Sequence, residues 1–329
     1  MDKKVKKLLD IKEANENVLL NKPNVIGVDV GFKYVEGKRT DEIAIRTFVT
    51  KKENVGPEHE IPRTIEGVKT DVIEEKKVEL QVLKIPVGAP VLENETGKFD
   101  PLVGGISVGP CRAINGFIFV GTLGAIVQKE DNKFYALSNF HVMGVDNNWK
   151  SGDEMTQPGR VDGGQCSGDI IGALDSVCLG DKINSQNKPV DAAISIIKNR
   201  RTSPEILNIG KVKDKVSPTI GASVRKQGRT TGLTHGTITG LGRTISIDYG
   251  SGIGVVTLKN QITIEPDTTK NPKFSDHGDS GSVIVDEQNR VIGLLFGGAG
   301  DGSSTFANLF SDVEAALGIS LFTGVPVHI

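Results

Sequence analysis

The chain has 329 residues, which is enough for two or three domains with substantial hydrophobic cores. Its 39 Lys and Arg residues almost balance its 41 Asp and Glu residues, and the formal net charge of −2 argues against a protein that binds nucleic acid or an anionic membrane. The composition includes 40 glycines and only 5% aromatic residues, and many short Val/Ile/Thr segments lie between Gly and Asn, so we expect mainly β structure.

The N-terminal part of the chain has the pattern of a small α+β unit. The predicted elements are an amphipathic helix at 2–20 and strands at 25–35, 42–49 and 67–74. A segment rich in Pro and Gly at 85–101 is the best domain boundary in the sequence. We therefore expect residues 1–100 to form an accessory α+β domain, in which no catalytic cluster stands out.

After this boundary the sequence consists of closely spaced short strands. The predicted strands lie at 117–127, 134–138, 170–174, 192–197, 223–226, 236–241, 244–248, 254–258, 262–264, 283–285 and 291–295, and a short helix is predicted at 311–317. So many short strands are typical of closed or nearly closed β-barrels.

The cysteines Cys111, Cys166 and Cys178 lack the spacing of metal ligands such as CxxC, so no metal and no cofactor are expected. Charged residues interrupt the first twenty positions, which excludes the apolar centre of a signal peptide, and the longest apolar run, 116–127, is too short to cross a bilayer. These features predict a soluble, reduced, cytoplasmic protein, in which Cys166 and Cys178 would pair only after export.

The stretch FSDHGDSGS at 274–282 places Ser280 between glycines, directly before an apolar strand. A serine hydroxyl becomes a useful nucleophile when a base accepts its proton and fixed N–H groups stabilise the resulting oxyanion. Gly278 and Gly281 allow a sharp turn, so the N–H groups of Gly278 and Ser280 are candidates for such an oxyanion hole. The same residues, taken alone, fit a simple turn before the strand equally well.

His141 is the strongest of the five histidines as a base, because it follows an apolar strand directly. Asp191 opens another apolar strand and is the candidate carboxylate that would orient the imidazole. The order His, Asp, Ser is that of chymotrypsin-like enzymes, whereas α/β-hydrolases place the serine first and the histidine last. The only histidine after Ser280 is His328, next to the last residue, so the hydrolase interpretation is weak.

Residues from about 105 to 317 resemble a trypsin-like (chymotrypsin-fold) peptidase domain, and the whole chain resembles the bacterial relatives of plant NARROW LEAF 1. The motifs that carry the resemblance are SNFHV around His141, QPGRVDGG at 157–164, VDAAIS around Asp191, KQGRTTGLTHGTITG at 226–240, FSDHGDSGS at 274–282, and GLLFGG followed by TFAN. The resemblance implies a mainly β domain at 101–329 with two six-stranded barrels, at about 105–205 and 206–310, and the triad at their junction. It also implies that a homo-oligomer built through the N-terminal domain is plausible.

The resemblance further implies a specificity pocket for the side chain before the cleaved bond, the P1 side chain. Its tentative members are Phe274, His277, Leu294, Gly297 and Gly298. An aromatic residue at its base supplies no charge for Lys or Arg, so an apolar P1 side chain is the expectation.

The sequence contains no activation cleavage site before the barrel, so Asp279 needs a donor other than a newly freed N-terminus. Arg229 in the GRTTG motif is one candidate for that donor. The motif itself lacks the Walker pattern of phosphate-binding loops, and a hairpin turn in the second barrel is favoured over phosphate binding.

These features predict a serine endopeptidase that cleaves protein or peptide substrates by acyl transfer. His141 would take the proton of Ser280, Asp191 would orient the imidazole, and the N–H groups of Gly278 and Ser280 would hold the oxyanion. The alternative is a catalytically silent or regulated binding scaffold, since a protease fold does not by itself guarantee activity.

Overall fold

The computed structural model describes residues 2–90, 97–184, 189–198, 200–250 and 252–327. The N-terminal elements are α1 (Lys3–Leu20), β1 (Val25–Val35), β2 (Lys38–Val49), β3 (Thr64–Ile65), β4 (Val68–Glu74), β5 (Val78–Leu80) and β6 (Leu83–Pro86). The middle elements are β7 (Leu102–Gly104), β8 (Ile106–Pro110), β9 (Phe117–Leu123), β10 (Ala125–Gln128), β11 (Phe134–Ser138), α2 (Phe140–Met143), β12 (Glu154–Thr156), a 3₁₀-helix (Arg160–Asp162), β13 (Ile170–Leu179) and β14 (Asp191–Ile197). The C-terminal elements are β15 (Thr202–Ile206), β16 (Gly210–Lys211), β17 (Asp214–Lys215), β18 (Ser223–Gly228), β19 (Gly232–Asp248), β20 (Val255–Pro266), β21 (Val283–Val285), β22 (Arg290–Ala299), β23 (Thr305–Leu309), α3 (Phe310–Leu317) and β24 (Ser320–Leu321).

The first barrel closes on itself through antiparallel pairs. β8 pairs with β9, and β10, which continues β9 after a break, pairs with β11. β11 then pairs with β14, β14 with β13, β13 with β12, and β12 returns to β8. Counting β9 and β10 as two halves of one strand, the described residues form a six-stranded closed barrel.

The second barrel repeats the same cyclic order. β18 pairs with β19, β19 with β20, β20 with β23, β23 with β22, β22 with β21, and β21 returns to β18. Two six-stranded antiparallel barrels with one shared connectivity are the chymotrypsin-like double barrel, so the predicted fold class is confirmed. The GRTTG motif lies in the tight turn between β18 and β19, as predicted.

A small α+β portion precedes the barrels and continues the sheet of the second one. β1 pairs with β19 through Val28 and Thr244, β2 pairs with β1, and β4 runs parallel to β2. α1 covers this sheet, because Leu8, Ile11 and Leu19 recur on one helix face and bury their side chains against β1 and β2. The N-terminal strands are therefore hydrogen-bonded directly to the barrel domain. None of the helices in the described residues has the length and apolar content needed to cross a membrane.

The break between β9 and β10 brings the first barrel against the loop that contains Ser280. The sequence predicts one strand at 117–127, but Gly124 interrupts it. A Cβ atom at Gly124 would lie 2.2 Å from the carbonyl oxygen of Gly281, so only glycine permits this approach. Thr122, just before the break, donates its N–H to the carbonyl of Ser280 at 2.7 Å. The two barrels therefore meet at the serine.

Cys111 and Cys166 form a disulfide with a Cα–Cα distance of 5.7 Å. The sequence-based suggestion of a pair between Cys166 and Cys178 is therefore wrong. Cys178 is buried in β13, where its thiol donates to the carbonyl of Asn184 at 3.4 Å. Burial raises the pKa of the Cys178 thiol to about 11.

Candidate active site

His141 and Asp191 meet at one edge of the first barrel, where β11 ends and the neighbouring strand β14 begins. β11 leads into the short helix α2, which carries His141, and β14 begins at Asp191. The imidazole Nδ1 contacts Asp191 Oδ2, and the backbone N–H of His141 donates to Asp191 Oδ1 at 3.3 Å. Both side chains are buried. The carboxylate thus holds the proton on Nδ1 and leaves Nε2 as an acceptor.

Several side chains fix Asp191 in this position. Asn139 donates to its carbonyl oxygen at 2.7 Å, and the Asn308 amide accepts its N–H at 2.9 Å and donates to its carbonyl at 3.1 Å. The hydroxyl of Tyr249 donates to the carboxylate Oδ2 at 2.7 Å. Burial, followed by the negative charge of Asp191, raises the pKa of Tyr249 well above its usual 10.0, so the phenol stays a donor.

The sequence analysis missed Tyr249 and Asn308. Asn308 lies in the TFAN motif, which was noted without a role, and Tyr249 follows a strand with no pattern that distinguishes it. Only the fold brings the end of β19 next to Asp191.

Ser280 completes the group from the second barrel. Its Oγ lies 2.7 Å from Nε2 of His141 and 3.0 Å from the carbonyl oxygen of Phe296. A hydroxyl has one proton to donate, so donation to the neutral Nε2 is the arrangement that prepares proton transfer. The structure therefore brings together all three residues that the sequence analysis selected.

The N–H groups of Gly278 and Ser280 converge on a single oxygen, as an oxyanion hole requires. Gly278 has φ +104°, and its carbonyl accepts a hydrogen bond from the Thr122 hydroxyl at 2.9 Å. The oxygen on which they converge is the backbone carbonyl of Gln81, at 2.7 Å from the N of Gly278 and 3.1 Å from the N of Ser280. A segment of the N-terminal part of the chain therefore occupies the candidate oxyanion hole.

The five tentative pocket residues lie in three different environments. Phe274 and Leu294 are fully buried in hydrophobic cores and line neither of the two cavities beside the site. Gly297 and Gly298 belong to β22 and pair with β5, and only Gly298 lines a cavity. His277 lies at the border of both cavities, which have volumes of about 550 and about 270 Å³.

The C-terminal part of the chain matches a known family. Residues 191–314 match the family model of the Nal1 C-terminal domain. The predicted relation to NARROW LEAF 1 is confirmed. The segment that matches the Nal1 domain contains Asp191 and Ser280, whereas His141 precedes it.

Solved structures similar to this chain are serine proteases. A glutamic acid specific serine protease has 16% identity and a TM-score of 0.46, with 67% of this chain and all of that chain covered (100%). Protease A of Thermobifida fusca has 20% identity and a TM-score of 0.45, and the match covers 68% of this chain and 98% of the protease chain. The Nocardiopsis protease has 19% identity and a TM-score of 0.45, and the match covers 67% of this chain and 98% of the protease chain.

Within the Nal1-matching segment, the β18–β19 turn holds Asp279, the neighbour of Ser280. Asp279 Oδ1 accepts the N–H groups of Thr230 at 2.9 Å and Thr231 at 3.1 Å, and Oδ2 accepts the Thr231 hydroxyl at 2.6 Å. Lys226 Nζ lies 3.3 Å from Oδ2, and both side chains of this ion pair are fully buried. Arg229, the donor suggested from sequence, instead forms its ion pair with Asp162.

Lys226 thus supplies an internal cation for Asp279 from within the folded barrel. Burial lowers the pKa of Lys226 below its usual 10.5, and the charge of Asp279 opposes that effect. Asp279 Oδ2 also accepts the N–H of Asp276 at 3.0 Å, so Lys226 contacts the carboxylate that organises the turn between Asp276 and Ser280.

Proposed function

We propose that this protein is a serine endopeptidase that cleaves peptide bonds by acyl transfer. One observation carries the proposal. Ser280 Oγ lies 2.7 Å from His141 Nε2, the other nitrogen of that ring faces Asp191, and two N–H groups converge on one carbonyl oxygen beside the hydroxyl. Nucleophile, base, orienting carboxylate and oxyanion donors are the full set of groups that acyl transfer uses.

In the proposed reaction, His141 removes the proton of Ser280 as Oγ attacks the substrate carbonyl. Asp191 stabilises the imidazolium, and the N–H groups of Gly278 and Ser280 stabilise the tetrahedral oxyanion. The imidazolium then protonates the leaving amine, and an acyl-enzyme ester remains on Ser280. Water, deprotonated by the same imidazole, hydrolyses this ester and regenerates the hydroxyl.

The substrate would bind as an extended strand along the edge of β22 that β5 occupies in this structure. The structure already contains such an arrangement, because β5 pairs antiparallel with residues 297–299 of β22. A Cβ atom at Gly297 would lie 2.7 Å from the carbonyl oxygen of Glu79, so glycine is what lets a strand approach here. Backbone pairing of this kind would give affinity, and side-chain pockets would give selectivity.

The expected apolar P1 preference rested on Phe274, which packs in the core of the second barrel. The smaller cavity is lined instead mostly by polar side chains that include charges of both signs, among them Lys273, Asp276 and Asp301. We therefore favour an uncharged polar P1 side chain such as Gln. Cleavage of a peptide library should concentrate after such residues, and dominant cleavage after Leu, Phe or Arg would contradict this preference.

The test of the proposed reaction is irreversible labelling with a fluorophosphonate, which reacts with activated serines. We expect labelling of Ser280 when the cleft is free of the segment that contains Gln81, and its loss in Ser280→Ala and His141→Ala. A control, Ser246→Ala, removes an exposed hydroxyl from β19 and should label like the wild type. If neither the folded wild-type protein nor a variant in which β5 is detached from β22, such as Val78→Asp, ever reacts, the serine is not activated and the peptidase proposal fails.

The alternative function is a silent or regulated protease-fold scaffold, and one observation favours it. The carbonyl of Gln81 fills the oxyanion hole, so the cleft is covered in this conformation. Protein or peptide substrates would have to displace this segment. Three further points remain predictions: the homo-oligomer, the cytoplasmic location, and the absence of nucleic-acid and membrane partners. The Cys111–Cys166 disulfide offers a check of the location, because disulfides persist mainly in oxidising compartments. Peptide mapping without reductant would show whether the bond is present in the protein isolated from cells.

A further inference from the structure

The segment 78–82 lies in the cleft in the position that a substrate would take. Val78, Glu79 and Leu80 of β5 pair antiparallel with Ala299, Gly298 and Gly297 of β22, respectively. The next residue, Gln81, places its carbonyl oxygen between the two N–H groups of the oxyanion hole, at 2.7 and 3.1 Å. The pairing of β5 with β22 and the position of the Gln81 carbonyl are therefore consistent with a single alignment of this segment in the cleft.

The remaining contacts of Gln81 fit the same register. Its N–H donates to the carbonyl of Phe296 at 3.3 Å, which continues the pairing up to the residue beside Ser280 Oγ. Its side chain is buried, with 6% exposed, and runs against Gly298, where an added Cβ would lie 2.6 Å from Nε2. Gln81 also lines the smaller cavity, so its side chain takes the place of a P1 side chain.

We propose that the chain is its own substrate, with the Gln81–Val82 peptide bond as the bond that Ser280 cleaves. The inference rests on the proposed peptidase function and names a specific substrate for it. Until this bond is cut, the segment covers the cleft and excludes other substrates.

The reaction balances with one water molecule and no redox partner. Ser280 Oγ attacks the carbonyl carbon of Gln81, and His141 takes the hydroxyl proton. The bond between that carbon and the nitrogen of Val82 breaks, and His141 gives the proton to the departing amine. Water then hydrolyses the ester, which leaves a carboxyl group on Gln81 and an amino group on Val82.

The two products would stay associated under native conditions. The part before the cut remains paired to the second barrel through β1 and β19, and β6, just after the cut, remains paired to β9. Native chromatography would therefore not separate them. The cut must be read by mass spectrometry after denaturation.

The experiment is a time course of intact mass for the full-length protein at several concentrations. We expect one new C-terminus at Gln81 and one new N-terminus at Val82, at a rate that does not change over a tenfold range of protein concentration. Ser280→Ala should stay whole. A cut at another bond, a cut in Ser280→Ala, or a rate that rises with concentration would overturn the intramolecular proposal.

A matched pair of proline variants tests the bond itself. Val82→Pro places a ring carbon on the leaving nitrogen and fixes its φ, which should slow the cut by about a hundredfold. Val55→Pro makes the same change in an exposed loop and should cut at the wild-type rate. Among the described residues, the backbone N–H of neither valine donates a hydrogen bond, so neither change removes one. Equal rates for the two variants would contradict the assignment.

The fluorophosphonate separates failure of this inference from failure of the proposed function. Val78 packs in a core cluster, and Val78→Asp should detach β5 and open the cleft. If Val78→Asp is labelled at Ser280 while the wild-type chain stays whole, self-cleavage is wrong and the peptidase proposal stands. If the wild type stays whole and Val78→Asp is not labelled either, both fail.

Discussion

Tyr249 partly neutralises the negative charge of Asp191 through a hydrogen bond. Its hydroxyl donates to the carboxylate Oδ2, the same oxygen that faces His141. Tyr249→Phe keeps the ring and removes a hydrogen bond worth about 1 kcal/mol, so more of the carboxylate charge acts on the imidazolium. We expect the acidic limb of the pH–rate profile for fluorophosphonate modification to move to higher pH by about half a unit to one unit.

Tyr135→Phe is the control for this change. The Tyr135 hydroxyl donates to Asp131 at 3.1 Å, in a contact that does not involve the triad. Its pH–rate profile should superimpose on that of the wild type. A Tyr249→Phe profile that also superimposes would show that the phenol only fills space.

A substitution of Lys226 tests whether its ion pair with Asp279 supports the proposed oxyanion hole. Lys226→Met keeps the length of the side chain but leaves the buried carboxylate of Asp279 without its cation, which should lower the free energy of unfolding by about 3–5 kcal/mol. Labelling of Ser280 should fall with it, because the turn from Asp276 to Ser280 is built on Asp279. Lys211→Met, at an exposed position, should change neither. Unchanged stability in Lys226→Met, measured by urea unfolding, would refute this role.

At the residue scale, the sequence was enough to select His141, Asp191 and Ser280. The chain order and the local motifs of these residues are properties of the sequence alone. Gln81 and Tyr249 could not be found in this way, because their roles come from contacts between segments far apart in the chain. Phe274 was expected at the base of the pocket, but its side chain packs in the core of the second barrel, and only the structure shows that direction.

At the scale of elements, α1 is tied to the second barrel by a buried carboxylate. Glu16 Oε1 accepts from Lys259 at 2.7 Å, Oε2 accepts from the Thr244 hydroxyl at 2.7 Å, and Lys12 on the same helix also pairs with it. Burial alone would raise the pKa of Glu16, but the hydrogen bonds from Lys12 and Lys259 outweigh it and lower the pKa below the ordinary 4.5.

Glu16→Gln should therefore lower the free energy of unfolding by about 2 kcal/mol near pH 7. Because the folded pKa is below the unfolded one, this stabilisation is fully present above about pH 4.5 and is lost as the pH falls through the folded pKa. The difference between wild type and variant, measured by urea unfolding, should shrink below pH 4.5. Glu13→Gln, on the exposed side of α1, is the control, and a pH-independent difference would contradict the ion-pair explanation.

The element pattern was predictable where strands are apolar and regular, and less so where glycine changes their course. The predicted strands 134–138 and 283–285 match β11 and β21. The predicted strands 236–241 and 244–248 are one strand, β19, because Gly242 adopts φ +68° and the strand continues through a register shift. β5 was not predicted, because its alternation of apolar and polar residues covers only three positions, Val78–Leu80, which is too short to indicate a strand before its partner is known.

At the scale of the whole molecule, buried ion pairs lie where the N-terminal sheet joins the second barrel. Arg46 donates to Asp29 through Nε and Nη2, both at 2.6 Å, and Thr263 of the barrel donates to Asp29 at 2.9 Å. Glu75 accepts from Arg243 of β19 at 2.6 Å. Residues 1–100 stay our proposed accessory domain, with this interface as its connection to the barrels.

Asp29→Ala should lower the free energy of unfolding by about 3–5 kcal/mol, because Arg46 would remain as a buried cation without its partner. Thermal unfolding followed by circular dichroism would measure the loss. Asp41→Ala removes an exposed carboxylate from β2 and should leave the midpoint unchanged. Equal midpoints for the two variants would mean that the pair does not hold the sheet to the barrel.

The measurement that tests the catalytic assignment most directly is the rate of fluorophosphonate modification of Ser280. The rate in the double variant Val78→Asp/Asp191→Asn is compared with the rate in Val78→Asp, whose cleft is open and whose Asp191 is intact. Asparagine keeps the size of the side chain but would hold the imidazole in the wrong tautomer, so Nε2 could no longer accept the serine proton. We predict a rate lower by about four orders of magnitude. Equal rates in the two proteins would show that Ser280 reacts without the triad and would contradict the assignment.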